Sequence, residues 1–223
     1  MDNDRLIHSI AVARKMVEIA KEKNMKITNI SLDKSLLEND ESFYKLVDML
    51  YAYFELGGVS VCANLPYYIT TPILMKLLES GLPFDYITVM VQNEVAARLA
   101  AKPGSSDYGA ITAILGYYGT VKKLFKVPAG CFIPAPKVDS AVVRIDLYKE
   151  PLYTPKDEKL FRNLIKFAFE MRRKTLQNAI CAKLPYSKDI VLEAIRAIGH
   201  PDTVRGERLS TEDFVKLADE LSK

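Results

Sequence analysis

Asn64-Leu65-Pro66-Tyr67 follows directly on a short apolar run, Val59-Ser60-Val61-Cys62-Ala63. Such a run suits a buried parallel strand, and open α/β sheets bind their ligands where such strands end. The four residue types suit an aromatic amine. The exocyclic amine of adenine is a poor nucleophile, because its lone pair is delocalised into the ring. An Asn side-chain oxygen and a backbone carbonyl can accept its two N–H bonds, favour a pyramidal nitrogen and hold it in line with an electrophilic methyl group. No strong base is required, so positioning and electrostatics supply the catalysis. Proline fixes the backbone that presents the carbonyl, and Tyr67 can stack on the base. The same tetrapeptide also serves as a plain turn, and four residues alone do not separate the two uses.

A second run, Phe132-Ile133-Pro134-Ala135-Pro136-Lys137-Val138-Asp139-Ser140, places an aromatic at the head of a proline-pinned loop. An aromatic there can clamp a flipped base from its other face. Its alternative use is to pack into the core.

The elements that must position these residues alternate. Val59–Ala63, Tyr86–Val91, Val121–Val127 and Ser140–Leu147 read as strands, and Pro72–Glu79, Asn93–Ala101 and Ala110–Tyr118 as helices. Ile27–Leu32 fits a further short strand. The pattern predicts an α/β sheet with an antiparallel end, where the last strands follow each other closely. Lys149–Pro155 holds two prolines and reads as a linker. Beyond it the pattern is helical only: Asp157–Ala182, Lys188–Ile198 and Thr211–Ser222, the last capped by Ser210 or Thr211. Arg5–Lys23 carries one apolar stripe and is predicted to be a separate N-terminal helix. The expected organisation is thus residues 1–24, a partial catalytic domain over 25–148 and a helical domain over 149–223.

Composition narrows the class. Hydrophobic residues make up 49% and charged residues 26% of the 223, the balance of a globular protein. No apolar run reaches membrane-spanning length, and the acidic start lacks the features of a signal peptide. Cys62, Cys131 and Cys181 form no CxxC pair, so free, buried thiols in a reducing cytoplasm are expected. With His8 and His200 alone, no metal site is expected. The net charge of +3 sits entirely in the last third, where Pro151–Lys223 holds 14 basic against 11 acidic residues. That mild patch fits either RNA phosphate or a solvated helix face.

Residues from about Val59 onward resemble the small-subunit ribosomal RNA adenine dimethyltransferases. Asn64 to Pro72 is similar to that family's methyltransferase motif. Gln92-Asn93-Glu94, Lys102-Pro103-Gly104 and Asp107-Tyr108-Gly109 resemble its next block. Phe132 to Ser140 resembles its target-base loop, and Arg172-Arg173-Lys174-Thr175-Leu176 and Arg208-Leu209-Ser210 the markers of its helical domain. The resemblance implies a Rossmann-like methyltransferase sheet, incomplete at its N-terminal part, followed by a small all-α domain. It implies S-adenosylmethionine as methyl donor and N6-dimethylation of two adjacent adenines. Asn64 and the Leu65 and Pro66 backbones would hold the amine, Tyr67 and Phe132 would sandwich the base, and Asp48 and Asn64 would meet the donor. Arg172, Arg173 and Lys174 would contact RNA. The implied partner is small-subunit ribosomal RNA within a pre-ribosomal particle, met by a cytoplasmic monomer with no membrane attachment.

Two departures set a further expectation. The family's donor site opens on a glycine-rich turn, yet no glycine precedes Gly57. Ser31 stands where the family places a ribose-binding Glu, with Asp33 nearby. Weak or absent donor affinity is therefore expected. The alternative function is a non-catalytic RNA-binding or ribosome-assembly module that has lost the donor site. Met1 to Asn24 shows no residue-by-residue likeness to the family.

Overall fold

The computed structural model describes residues 59–65, 67–82 and 84–223. The expected helix over Arg5–Lys23, the strand over Ile27–Leu32, and Ser31, Asp33 and Asp48 lie outside the described residues, as does Pro66. Two compact units form: the described residues up to Ala96 together with Lys122–Lys149, and Ala97–Val121 together with Glu150–Lys223.

The first unit is built on a four-stranded sheet in the order β1-β2-β4-β3. Its strands are β1 (Val59–Asn64), β2 (Phe84–Gln92), β3 (Gly119–Val127) and β4 (Ser140–Leu147). β1 lies parallel to β2, and β4 runs antiparallel to β2 on its other side. β2 buries one face completely: Ile87, Val89 and Val91 are fully buried, as are their partners Ile145, Val143 and Ala141 of β4, whereas Tyr86, Thr88 and Gln92 on the other face are half-buried. Helix α1 (Thr70–Glu79) buries Ile73, Leu74, Leu77 and Leu78, a stripe at helical spacing.

In the second unit, helices α3 (Ala110–Tyr118), α4 (Glu158–Glu170), α5 (Leu176–Cys181), α6 (Lys188–Ala197) and α7 (Thr211–Leu221) share one core. Helix α2 (Asn93–Leu99) precedes them. The unit draws in Ala97–Val121, which the chain order had assigned to the catalytic domain. The reason is packing: Tyr108 and Ala113 belong to the helical core, and Tyr108 donates its hydroxyl to the Leu209 carbonyl at 2.9 Å. Gly206 lies so close to α4 that a side-chain carbon there would sit 2.5 Å from the Ala168 methyl.

The single helix expected over Asp157–Ala182 is two. Helix α4 starts at Asp157, whose carboxylate accepts the Leu160 N–H at 2.8 Å, and ends at Glu170. A turn over Met171–Lys174 follows, and Thr175 caps α5 by accepting from the Asn178 N–H. A threonine that can cap a new helix competes with its continuation. The break also lets the Leu176 N–H reach the Val204 carbonyl at 2.7 Å. Helix α7 opens on Ser210, which forms a reciprocal capping box with Asp213.

Burial pushes the Asp213 carboxyl up, but hydrogen bonds from the Ser210 N–H, the Ser210 hydroxyl and His200 more than offset it. The net value lies below the usual carboxylate range. A carboxylate so depressed stabilises the fold above its unfolded pKa, about 3.9, and loses that contribution as pH falls through the lower folded value. Urea titrations between pH 3 and pH 6 (a range of about one unit below to two above that reference) should show this acid-side loss in the wild type and its reduction in Asp213→Asn. Burial and the Asp213 charge together push the Tyr108 hydroxyl above its ordinary range. Replacing it by Phe leaves the Leu209 carbonyl without that donor, so urea denaturation of Tyr108→Phe should show a loss of about 1–3 kcal/mol.

Candidate active site

The expected site residues of the sheet gather at one end of it. Asn64 closes β1, and its Cα partner on β2 is Met90, whose partner on β4 is Val142. Partners across a ladder share a face of the sheet, so the Asn64, Met90 and Val142 side chains form one row. Phe132 packs against Met90 and Val142, with Val127 beside them. Asn64 and Phe132 therefore lie on one face although 68 positions (132 − 64) separate them in sequence. Asn64 is exposed, whereas Phe132 retains 8% of its surface. Packing takes most of the Phe132 ring, and a base would meet only what that leaves.

Leu65 is buried, and its N–H donates to the Met90 carbonyl at 3.2 Å, extending the β1–β2 ladder by one residue. The backbone at the motif is thereby tied to the central strand. Tyr67 opens a single 3₁₀ turn, Tyr67–Ile69. Its hydroxyl shares a 2.6 Å hydrogen bond with the hydroxyl of Ser140, the buried first residue of β4. Tyr68 and Ile133, the neighbours of the two aromatics in sequence, are 71% and 84% exposed.

The loop that carries Phe132 is pinned at both ends by Asp139. One carboxylate oxygen accepts the Ala129 N–H at 2.9 Å, and the other pairs with the Lys126 ammonium at 2.7 Å. The Asp139 carbonyl in turn accepts the Asn93 N–H at 2.9 Å. Lys126 and the Ala129 N–H hold the Asp139 carboxyl below the usual carboxylate range. Lys123 donates to the Asn93 side chain at 2.7 Å. Sequence reasoning passed over Asp139 and Ser140. Their signal was present: an Asp ten positions after Ala129 is well placed to close that loop, and a Ser heading a buried strand requires a polar partner.

Arg172, Arg173 and Lys174 lie in the turn between α4 and α5, not on a helix. Arg172 donates to the Glu207 carboxylate at 2.7 Å and to the Ser106 carbonyl at 2.8 Å, within its own unit. Arg173 and Lys174 are exposed. The three cysteines are free, but Cys62 and Cys131 are exposed and Cys181 half-buried, contrary to the expectation of buried thiols. Cys131 sits in the 3₁₀ turn of the exposed loop, and Cys62 on β1, the edge of the described sheet.

The model of the family described as Ribosomal RNA adenine dimethylase matches residues 48–223. The chain belongs to that family. A Ribosomal RNA small subunit methyltransferase A from Clostridium acetobutylicum is similar at 44% identity over 223 residues, covering 94% of this chain and 79% of the relative. That coverage carries the likeness into the segment before Asn24, where reading residue by residue found none. A dimethyladenosine transferase structure from Plasmodium falciparum matches with a TM-score of 0.61 at 26% identity. It covers 71% of this chain, which spans 64% of that one. The structure of the 23S rRNA methyltransferase ErmE, at 23% identity and a TM-score of 0.56, shares the fold. The architecture is accordingly the α/β, Rossmann-like sheet of the family's methyltransferases, followed by helices. Its members are enzymes that take their methyl group from S-adenosylmethionine. Among the described residues no helix is long and apolar enough to cross a membrane.

The packing of Phe132 gives a direct test. Phe132→Ala removes the ring from the Met90–Val142 row. It should cost about 3 kcal/mol by denaturant titration, the low end for Phe→Ala because the cluster is small.

Proposed function

We propose that this chain carries out S-adenosylmethionine-dependent N6-dimethylation of adjacent adenines in small-subunit ribosomal RNA. The observation that carries the proposal is the row Asn64–Met90–Val142, which brings an exposed amide and the Phe132 ring onto one face at the carboxyl end of β1. An exposed amide at a strand end of a family methyltransferase fits both the donor's methyl end and an incoming amine. Asp48, the other residue expected to meet the donor, lies outside the described residues.

In this reading the target adenine is turned out of its stack and enters beside Tyr67 and Phe132. The Asn64 side-chain oxygen and the Leu65 and Pro66 backbone accept the amine's N–H bonds. S-adenosylmethionine supplies an electrophilic sulfonium methyl. The buried Leu65, held to Met90, keeps this acceptor set in place, and rigidity of that kind is what positional catalysis needs. The substrate is met as a monomer, within a pre-ribosomal particle in the cytoplasm. Arg173 and Lys174 reach RNA phosphate, while Arg172 braces the turn through Glu207 and Ser106.

Methyl incorporation into a ribosomal RNA hairpin with tandem adenines is the deciding assay. Asn64→Ala should lower the rate at least about 100-fold, the scale of losing one positioned polar group, with RNA affinity unchanged. Unimpaired transfer by Asn64→Ala would sink the role given to Asn64. RNA binding by the wild type without any transfer would instead favour a non-catalytic RNA-binding module.

The cation assignment has its own readout. Arg173→Ala with Lys174→Ala should weaken RNA binding and flatten the slope of log affinity against log salt by roughly one to two units. An unchanged slope in that double variant would remove both residues from the RNA contact.

A further inference from the structure

Tyr67 and Phe132 come from distant parts of the chain, yet both are anchored through two consecutive residues. We infer that Asp139 and Ser140 set the spacing of the base clamp, Ser140 by holding Tyr67 and Asp139 by closing the loop that carries Phe132. The inference rests on the proposed reading of Tyr67 and Phe132 as the two walls of an adenine site.

Ser140 is fully buried, and its hydroxyl lies 2.6 Å from that of Tyr67. A phenol tied at its far end cannot swing about its Cα–Cβ bond, so the direction in which the Tyr67 ring extends is set by where Ser140 stands. Ser140 stands opposite Gln92, one same-face step along the strands from the Met90–Val142 pair that supports Phe132. Both walls therefore refer to the same two strands.

Asp139 works on the other wall. Its carboxylate takes the Ala129 N–H and the Lys126 ammonium, and its carbonyl takes the Asn93 N–H. Ala129 then accepts the Phe132 N–H at 3.2 Å. An unbroken set of hydrogen bonds thus runs from the end of β2, through Asp139 and Ala129, to the backbone of Phe132. The exit of the loop fixes its entrance, so the ring is presented from a closed loop and not from a free one. Catalysis by position is sensitive to displacements of about 1 Å, which can cost on the order of 100-fold in rate. Neither side chain need touch the base for its loss to be felt. Both are positioning residues.

The test uses the whole chain and a hairpin RNA that carries either adenine or the fluorescent base 2-aminopurine at the target position. Asp139→Ala and Ser140→Ala should each lower kcat about tenfold or more, with KM for RNA changed less than about twofold, the pattern of a lost transition-state geometry. Both should change the fluorescence of the bound 2-aminopurine, which reports stacking directly. Asp139→Asn, which keeps an oxygen for the Ala129 N–H, and Ser140→Thr, which keeps a hydroxyl, should restore most of the rate. In a Tyr67→Phe background, Ser140→Ala should have no further effect, because the shared bond is already gone.

An equal effect of Ser140→Ala in both backgrounds would overturn the link to Tyr67. Full kcat and unchanged fluorescence in Asp139→Ala would overturn the link to Phe132. Thermal melts of every variant identify a loss of fold. If Asp139→Ala does not fold, Lys126→Ala in the fluorescence assay decides the matter, by a changed or an unchanged signal. A wild type that transfers no methyl but stacks 2-aminopurine would refute the proposed reaction and leave the clamp standing. A wild type that never stacks the base would refute the clamp.

Discussion

Strand β2 is paired on both edges, and in opposite senses: parallel to β1, antiparallel to β4. This one constraint decides where everything else must come. A parallel neighbour ends where β2 ends, and an antiparallel neighbour starts there. The carboxyl end of β1, with Asn64 and Leu65, is thereby brought level with the start of β4, with Ser140. The loop before β4 falls over the same end of the sheet. No contact between the two loops is needed to create their proximity, because the ladders impose it. The apolar run of β2, fully buried at Ile87, Val89 and Val91, stabilises that arrangement by taking one face of the strand out of water.

Much of this was legible in the residues. Strand β4 and helix α3 fall on the bounds that period and turn signals gave, and β1 and β2 extend only slightly beyond theirs. The cap of the last helix was legible as Ser210 or Thr211, and Ser210 takes it, paired with Asp213. What local pattern does not carry is tertiary choice. The break after Glu170 could not be read from an apolar stripe that continues through Leu176 and Ile180, because the stripe survives a tight turn. Only the demand that Leu176 meet Val204, and Arg172 meet Glu207, makes the turn preferable. The grouping of Tyr108 with the helices is likewise long-range: its partner Leu209 lies 101 positions away.

The candidate site shows the same division. Residue types and spacing pointed to Asn64, Tyr67 and Phe132, since their chemistry is distinctive. They did not point to Asp139 and Ser140, whose types are common in loops and at strand starts. Their importance comes from partners that no local window contains, Ala129 and Lys126 for one and Tyr67 for the other. Phe132 also shows how one ring serves two ends, since the packing that hides it is what fixes its place on the face shared with Asn64.

Strand β3 is the outermost strand on its side of the described sheet, and it presents Lys122, Lys123 and Lys126 to solvent together with Leu124 and Phe125. An outermost strand offers a row of main-chain groups to any other extended chain, and Leu124 and Phe125 would reward such an approach. The three ammonium groups oppose it. A second copy arriving edge to edge would set lysine against lysine, and each would have to abandon the Asp146, Asn93 or Asp139 oxygen that it already holds. Lys126, which neutralises Asp139 at the base loop, thus also helps to guard the sheet against its own kind. The guard would weaken in concentrated salt, where exposed charges are screened within a few ångströms.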